Sequence, residues 1–138
     1  MRLFYSPFHT FIHKVLVTAH EAGLWDDITF VATYPFKNSE GEDQGDAYSI
    51  AALNPLNKVP TLALDDGQVV YGSQAVVECL DGLSKSGKPL YPAAGPDRWE
   101  AVTRLAMADT MFETTVQMVM EGWIEETQQR RALFEWIW

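Results

Sequence analysis

Three side chains that can donate or accept a proton stand close together near the N-terminus, at Ser6, His9 and Thr10. Histidine titrates near neutral pH, so His9 can donate an N–H or act as a base, and each hydroxyl can donate a hydrogen bond. Each residue also has a structural interpretation, because Ser6 can form a turn, Thr10 can cap a helix and His9 can be a solvated loop side chain. The sequence leaves both interpretations open.

A metal-binding interpretation of the same segment is weaker. His9 and His13 are four residues apart and His20 follows seven residues later, but no acidic or cysteine ligand lies between them. His9 is also expected to precede the first helix rather than share a face with His13. The sequence therefore predicts no metal site.

A second segment with binding potential runs from Asn54 to Gln74. Two β-rich runs flank Asp66-Gly67, which is typical of a two-residue hairpin turn. Pro60 precedes the first run, and a residue without an N–H is confined to a strand start or an edge, which leaves a neighbouring backbone group unpaired. Ser73 is expected to cap the next helix, whose positive N-terminal end favours an anionic group. This segment therefore predicts a small binding site.

The elements that position these groups follow a βαβ-α-ββα order. The apolar patterns predict strands over 2–5, 28–32, 61–64 and 68–71, and helices that begin at Thr10, at Ala47 and after Ser73. Gly23 ends the first helix. A strand, a helix and a strand of these lengths imply a right-handed crossover and a parallel pair. The polar residues between 35 and 46 are predicted to form a surface loop.

The composition indicates a globular protein and excludes several classes. The 138 residues carry 10 Lys and Arg against 19 Asp and Glu, and a net charge of −9 disfavours nucleic acid and anionic membranes as partners. The lone cysteine, Cys79, permits no internal disulfide and lies in an apolar helical stretch, which predicts a buried, inert thiol. No apolar run is long enough for a spanning helix. We expect a cytoplasmic location.

The last third of the chain differs from the rest. Residues 85–96 have a linker composition, which separates a predicted domain over 1–84 from helical residues over 97–138. Asp97 is expected to cap a long helix, and Asp109 interrupts its apolar stripe, where a charge needs a partner. The stripe consists of Val102, Leu105, Phe112, Val116, Val119 and Trp123.

Residues 54–62, Asn-Pro-Leu-Asn-Lys-Val-Pro-Thr-Leu, carry a family resemblance. Residues 1–84 resemble the thioredoxin-like N-terminal domain of bacterial-type cytosolic glutathione S-transferases, and the remainder resembles the start of their all-α domain, here shortened. The resemblance implies that Pro60 is cis, that the Val59 backbone pairs with the cysteinyl part of glutathione, and that Lys58 approaches its glycine carboxylate.

Two other segments match this family in part. The resemblance implies that Ser73 holds the γ-glutamyl end of glutathione, but Gly72 replaces the usual acidic residue, so Gln74 or a partner subunit is expected to compensate. Many bacterial members read Ser-Pro-x-Ser-Pro-Phe-x-x-Lys near the first helix. The corresponding residues 6–14 place His9 at the catalytic serine and Thr10 at its proline. Our order of preference for the catalytic group is His9, Thr10, Ser6.

The resemblance implies an enzyme that transfers glutathione, as co-substrate, to a small electrophile. It also implies a homodimer, with Asp109 and Phe112 on the second-substrate side; for Asp109 we favour a salt-bridged core residue over a polar contact there. The alternative is a non-catalytic binding or scaffold protein of the same fold, and a glutathione-dependent isomerase or ether-cleaving activity is not separable by sequence. The aromatic residues at 134–138 are expected either to reflect truncation or to be covered by a second chain.

Overall fold

The computed structural model describes residues 1–33 and 50–121. Within these ranges the elements are β1 (Arg2–Tyr5), α1 (Ile12–Glu21), a 3-10 turn (Trp25–Asp27), β2 (Thr29–Ala32), β3 (Thr61–Ala63), β4 (Val69–Tyr71), α2 (Ser73–Gly82) and α3 (Pro96–Glu121). The predicted surface loop over 35–46, most of the helix predicted from Ala47, Trp123 and the aromatic residues at 134–138 lie outside the described residues.

The four strands form one mixed sheet in the order β2-β1-β3-β4. β1 pairs with β2 in parallel, as predicted for a βαβ unit, and β1/β3 and β3/β4 are antiparallel. The predicted hairpin and the helix that follows it are also confirmed. The architecture is the thioredoxin-like arrangement that the resemblance implied, followed by a helical segment.

The core occupies both faces of the sheet, because successive residues of a strand point to opposite sides. Leu3 and Leu62 are opposite each other in neighbouring strands and are completely buried with apolar side chains of α1 and α2. Each such side chain contributes about 1.5–3 kcal/mol through burial. The adjacent residues Phe4 and Ala63 belong to a second buried cluster, which contains Val59. The segment before β3 is thus anchored to the sheet through Val59.

The hairpin turn is longer than predicted. The Leu64 N–H donates to the Gln68 carbonyl at 2.9 Å, so residues 65–67 form a three-residue loop. Within this loop only Gly67 has a positive φ, of +91°. The predicted two-residue type I′ turn needs a positive φ at both of its central residues. The Asp66 carboxylate accepts the Gln68 N–H at 2.9 Å, which stabilises the longer loop and explains the difference.

The predicted side-chain caps are wrong at the first two helices. Phe11 is the N-cap of α1, and no side chain caps the helix. The His13 N–H donates to the Thr10 carbonyl and not to the Thr10 hydroxyl. At α2 the Gly72 carbonyl accepts the first helical bond, from Val76 at 3.0 Å. Gly72 is therefore the N-cap, and Ser73 is the first helical residue without a capping bond. The predicted C-terminal stop at Gly23 is confirmed by its φ of +69°.

The third predicted cap is displaced by two residues, from Asp97 to Gly95. α3 begins at Pro96, with Asp97 inside its first turn. The Trp99 N–H donates to the Gly95 carbonyl at 3.2 Å, and proline is favoured at a first helical position because its missing N–H is not needed there. Asp97 therefore acts on the helix dipole rather than as a cap.

The chain divides into two compact units, Met1–Val102 and Thr103–Trp138. In the first unit, the residues after α2 are held by hydrogen bonds: the Asp81 carboxylate accepts the Leu90 N–H at 2.7 Å and the Tyr91 N–H at 3.2 Å. The boundaries at 84 and 96 stay predictions. No helix in the described ranges has the length and apolar character needed to cross a membrane.

Candidate functional site

Strand register brings three predicted segments to one end of the sheet. Phe4 is paired with Thr61, and Thr61 is paired with Tyr71. Because these pairs are antiparallel, the residues after β1, before β3 and after β4 all leave the sheet at the same end. The segments 6–10, 58–60 and 72–74 therefore lie together, as the binding hypothesis requires.

The segment before β3 is internally hydrogen bonded. Asn54, which is 1% exposed, donates from Nδ2 to the Lys58 carbonyl at 2.9 Å and to Thr61 Oγ1 at 3.0 Å. Thr61, fully buried, donates its hydroxyl to the same Lys58 carbonyl at 2.9 Å. The Asn54 Oδ1 accepts the Leu56 N–H at 2.9 Å. These bonds satisfy every buried polar atom of the two side chains.

The predicted binding residues of this segment take different positions. Lys58 is exposed, whereas Val59 and Pro60 are buried, with 9% of Val59 accessible. The Val59–Pro60 peptide bond is cis. A charged side chain therefore stands at the surface beside backbone that the core holds in place.

The three predicted catalytic residues form the entry to α1. Ser6 is 5% exposed, and its carbonyl accepts the His9 N–H at 3.1 Å. Among the described residues, His9 Nδ1 and Thr10 Oγ1 are buried side-chain atoms that have no hydrogen-bond partner. An unsatisfied buried polar atom costs about 1–3 kcal/mol, so two neighbouring ones need a reason. A polar ligand atom would supply the missing partner.

The electrostatics of this entry favour a neutral imidazole. Burial, and secondarily the positive charge of Lys58, lower the pKa of His9 below its ordinary value of 6.5. The His9 ring also packs on Phe11, with 5.6 Å between ring centroids. A neutral imidazole offers one nitrogen as a proton acceptor, so His9 fits a base better than a cationic donor at neutral pH.

The start of α2 supplies the third part of the site. Ser73 is half-buried and Gln74 is exposed, with Gln74 Nε2 3.4 Å from Glu78 Oε1. The first turn carries no acidic side chain, and its backbone N–H groups have no partners within the helix. This terminus can hold a carboxylate, but it offers no carboxylate to an ammonium group.

The remaining candidates belong to other elements than the three segments at this end of the sheet. Asp109 is half-buried and Phe112 is 48% exposed, and both belong to the second unit, so their predicted role stays a prediction. Cys79 is a free, half-buried cysteine, and burial, followed by the charge of Asp66, raises the pKa of its thiol. The thiol is thus less buried than predicted, but the shift in its pKa disfavours the thiolate, as expected of an inert cysteine.

Metal ligands are not grouped in the described part of the chain. Within residues 1–33 and 50–121, no cluster of three or more His, Cys, Asp or Glu side chains could hold an ion. His13 and His20 are both exposed, and the carboxylate of the neighbouring residue Glu21 lies 3.8 Å from His20 Nδ1.

Asn54 and Thr61 are site residues that sequence reasoning missed. The sequence places Asn54 at the start of the 54–74 segment and Thr61 at the start of a predicted strand, and it predicts no binding role for either side chain. The available signal was the placement of two polar, hydrogen-bonding side chains at either end of a short segment that contains Lys58 and Pro60.

Comparison with known proteins gives a consistent family. A family model described as "Glutathione S-transferase, N-terminal domain" matches residues 8–83, more than half of the chain. No curated protein matches significantly. The chain belongs to the glutathione S-transferase family.

Solved structures with the same fold extend this result. A glutathione transferase family member from Pseudomonas fluorescens Pf-5, with bound glutathione, is 33% identical, with a TM-score of 0.72 over 84% of this chain and 53% of its own. A glutathione S-transferase from Methylobacillus flagellatus, also with glutathione bound, is 30% identical, with a TM-score of 0.76 over 91% of this chain and 56% of its own. The chain therefore spans about half the length of these relatives.

Proposed function

We propose that this protein binds glutathione at the end of the sheet and transfers it to a small electrophile. The observation that carries the proposal is the pair of buried, unpartnered atoms, His9 Nδ1 and Thr10 Oγ1, beside Lys58 and the Val59 backbone. Glutathione bound in the two bacterial relatives supports the choice of ligand.

In this proposal each segment holds a different part of the tripeptide. The Val59 backbone, before cis-Pro60, pairs with the cysteinyl residue, and the Lys58 ammonium group pairs with the glycine carboxylate. Ser73 and the N–H groups at the start of α2 hold the γ-glutamyl carboxylate, with Gln74 as a further polar contact.

The proposed chemistry begins with removal of the thiol proton. His9 Nδ1 takes the proton from the glutathione thiol, and the Thr10 hydroxyl donates a hydrogen bond to the resulting thiolate. The thiolate forms a C–S bond with the electrophilic carbon, and the leaving group departs with its electron pair. Ser6, whose carbonyl binds the His9 N–H, is the third candidate and supports the geometry of this turn.

The test separates binding from catalysis. Binding is measured as retention on immobilised glutathione and release by free glutathione. Catalysis is measured as conjugation of glutathione to a chromogenic aryl halide by the wild type, His9→Ala and Thr10→Ala. Unchanged conjugation rates in both variants would show that these residues are not catalytic.

A non-catalytic glutathione-binding protein is the second candidate. It is favoured by the first turn of α2, where no acidic side chain is present to bind the ligand's ammonium group. Retention on glutathione without conjugation would select this function, and absence of retention would exclude both.

Three further features belong to the same proposal. We place the protein in the cytoplasm, since its lone Cys79 is unpaired.

We expect a homodimer, as the family resemblance implies, which sedimentation at several concentrations would test. Phe112 is proposed to contact the second substrate, and Phe112→Ala would then raise KM for the electrophile without changing the affinity for glutathione. For Asp109, predicted on the same side, we favour a salt bridge over a contact with that substrate.

A further inference from the structure

The Lys58 carbonyl oxygen is bound twice from the protein interior. Asn54 Nδ2 and Thr61 Oγ1 each donate to it at 2.9 Å, which uses both lone pairs of the oxygen. The two donors are also bonded to each other at 3.0 Å, so the three groups form a closed triangle. Because Asn54 is 1% exposed and Thr61 is 0% exposed, both donor side chains are shielded from water.

The triangle fixes the direction of the next amide. Lys58 and Val59 are joined by an ordinary trans peptide, in which the C=O and N–H bonds lie in one plane and point in opposite directions. A carbonyl held toward Asn54 and Thr61 therefore aims the Val59 N–H away from them. The Val59 side chain, buried with Phe4 and Ala63, limits rotation of this unit from the other side.

We infer that Asn54 and Thr61 are positioning residues, which orient the Val59 amide for the ligand without touching it. This inference rests on the proposed function, because Val59 is the residue proposed to pair with the cysteinyl part of glutathione. Pre-orientation of a binding amide reduces the ordering that association would otherwise require.

Substitutions at Thr61 can separate the effect of the hydroxyl on binding from the effect of the side-chain volume. Thr61→Ser removes the methyl group and keeps the hydroxyl, Thr61→Ala removes both groups, and Thr61→Val keeps the volume and removes only the hydroxyl. Thr18→Val is the matched control, because Thr18 is also buried, at 5% exposed, and its hydroxyl donates at 2.8 Å to the Lys14 carbonyl in α1.

The first measurement is glutathione affinity by titration calorimetry. Loss of one hydrogen bond to the Lys58 carbonyl is expected to weaken binding by about threefold to tenfold in Thr61→Val and Thr61→Ala. Thr61→Ser and Thr18→Val are expected to bind as the wild type does. A purely structural role predicts another pattern, in which Thr61→Ser weakens binding as much as Thr61→Ala, and that result would overturn the inference.

The second measurement needs no ligand. The ¹H–¹⁵N resonance of the Val59 amide in the free protein is expected to move in Thr61→Ala and Thr61→Val and to stay near its wild-type position in Thr61→Ser. An unmoved resonance in all three variants overturns the inference. If the wild type does not bind glutathione but the resonance moves as expected, the proposed function fails while the positioning role of Thr61 stands.

Discussion

The two segments that enter the end of the sheet differ in how their buried polar groups are satisfied. In residues 54–61, Asn54 and Thr61 place all of their buried polar atoms in hydrogen bonds. In residues 6–11, His9 Nδ1 and Thr10 Oγ1 have none. The buried side chains of the first segment are satisfied without a ligand, and those of the second carry an energetic cost that a ligand would remove. In the proposed function, the 54–61 segment therefore provides preorganised binding, and the 6–11 segment provides the catalytic groups.

Among the substitutions that test this comparison, Asn54→Ala is expected to change the free energy of unfolding most. It removes two donated bonds and one accepted bond from a residue that is 1% exposed. We expect the free energy of unfolding to fall by about 2–4 kcal/mol, since each buried bond contributes about 1 kcal/mol and an unpaired partner adds a penalty. Urea denaturation followed by fluorescence measures this change.

The control for Asn54→Ala is Gln68→Ala, at an exposed position of the hairpin. It is expected to change the free energy of unfolding by less than about 0.5 kcal/mol. A loss below this value for Asn54→Ala as well would mean that the hydrogen bonds of the 54–61 segment do not stabilise the fold.

The same substitution at two threonines gives the next largest effect, with opposite signs. Thr61→Val removes a satisfied hydroxyl and is expected to lower the free energy of unfolding by about 1 kcal/mol. Thr10→Val removes an unsatisfied hydroxyl and is expected to raise it by about 1 kcal/mol. Both values come from denaturation without ligand; equal changes of the same sign would refute the contrast between the segments.

Glu78→Gln is a smaller test, directed at a partly exposed ion pair. Glu78 Oε2 accepts from Arg98 at 2.9 Å, but the two side chains are 37% and 32% exposed. Water can replace the contact, so the free energy of unfolding is expected to fall by only about 0.2–1 kcal/mol, and less at high salt. A loss as large as that of Asn54→Ala would show that burial is not what separates the segments.

Much of the fold follows from local patterns in the sequence. The apolar run of residues 2–5, the turn signal at Gly67 and the stop at Gly23 predict elements that the structure contains. The predicted cap at Ser73 failed by one position, because the Gly72 carbonyl accepts the first helical bond, from Val76, and Ser73 already lies within the helix. Local propensity places elements, but the exact first residue depends on which backbone group reaches the helix.

The site was predictable only in part. The resemblance predicts Val59, Pro60 and Ser73 as binding residues, and strand register explains why the segments that carry them lie at the same end of the sheet. The Asn54–Thr61 bond joins residues seven apart through a bend, and the missing partners of Thr10 depend on burial by other elements. Neither property can be read from spacing, because hydrogen-bond satisfaction is decided by the packed structure.

The smallest expected effect concerns the electrostatic interaction between Lys58 of the 54–61 segment and His9 of the 6–11 segment. Burial first and the Lys58 charge second lower the pKa of His9, so its folded value lies below that of the unfolded chain. Stability from the neutral ring is therefore complete above about pH 6.5 and is lost as the pH falls through the folded pKa. Lys58→Ala is expected to raise the pKa of His9, which NMR titration of the ring protons measures, and to move the acidic limb of conjugation to higher pH. Lys58→Arg keeps the charge and should leave both unchanged; the same shift in both variants would assign the effect to lost packing rather than to charge.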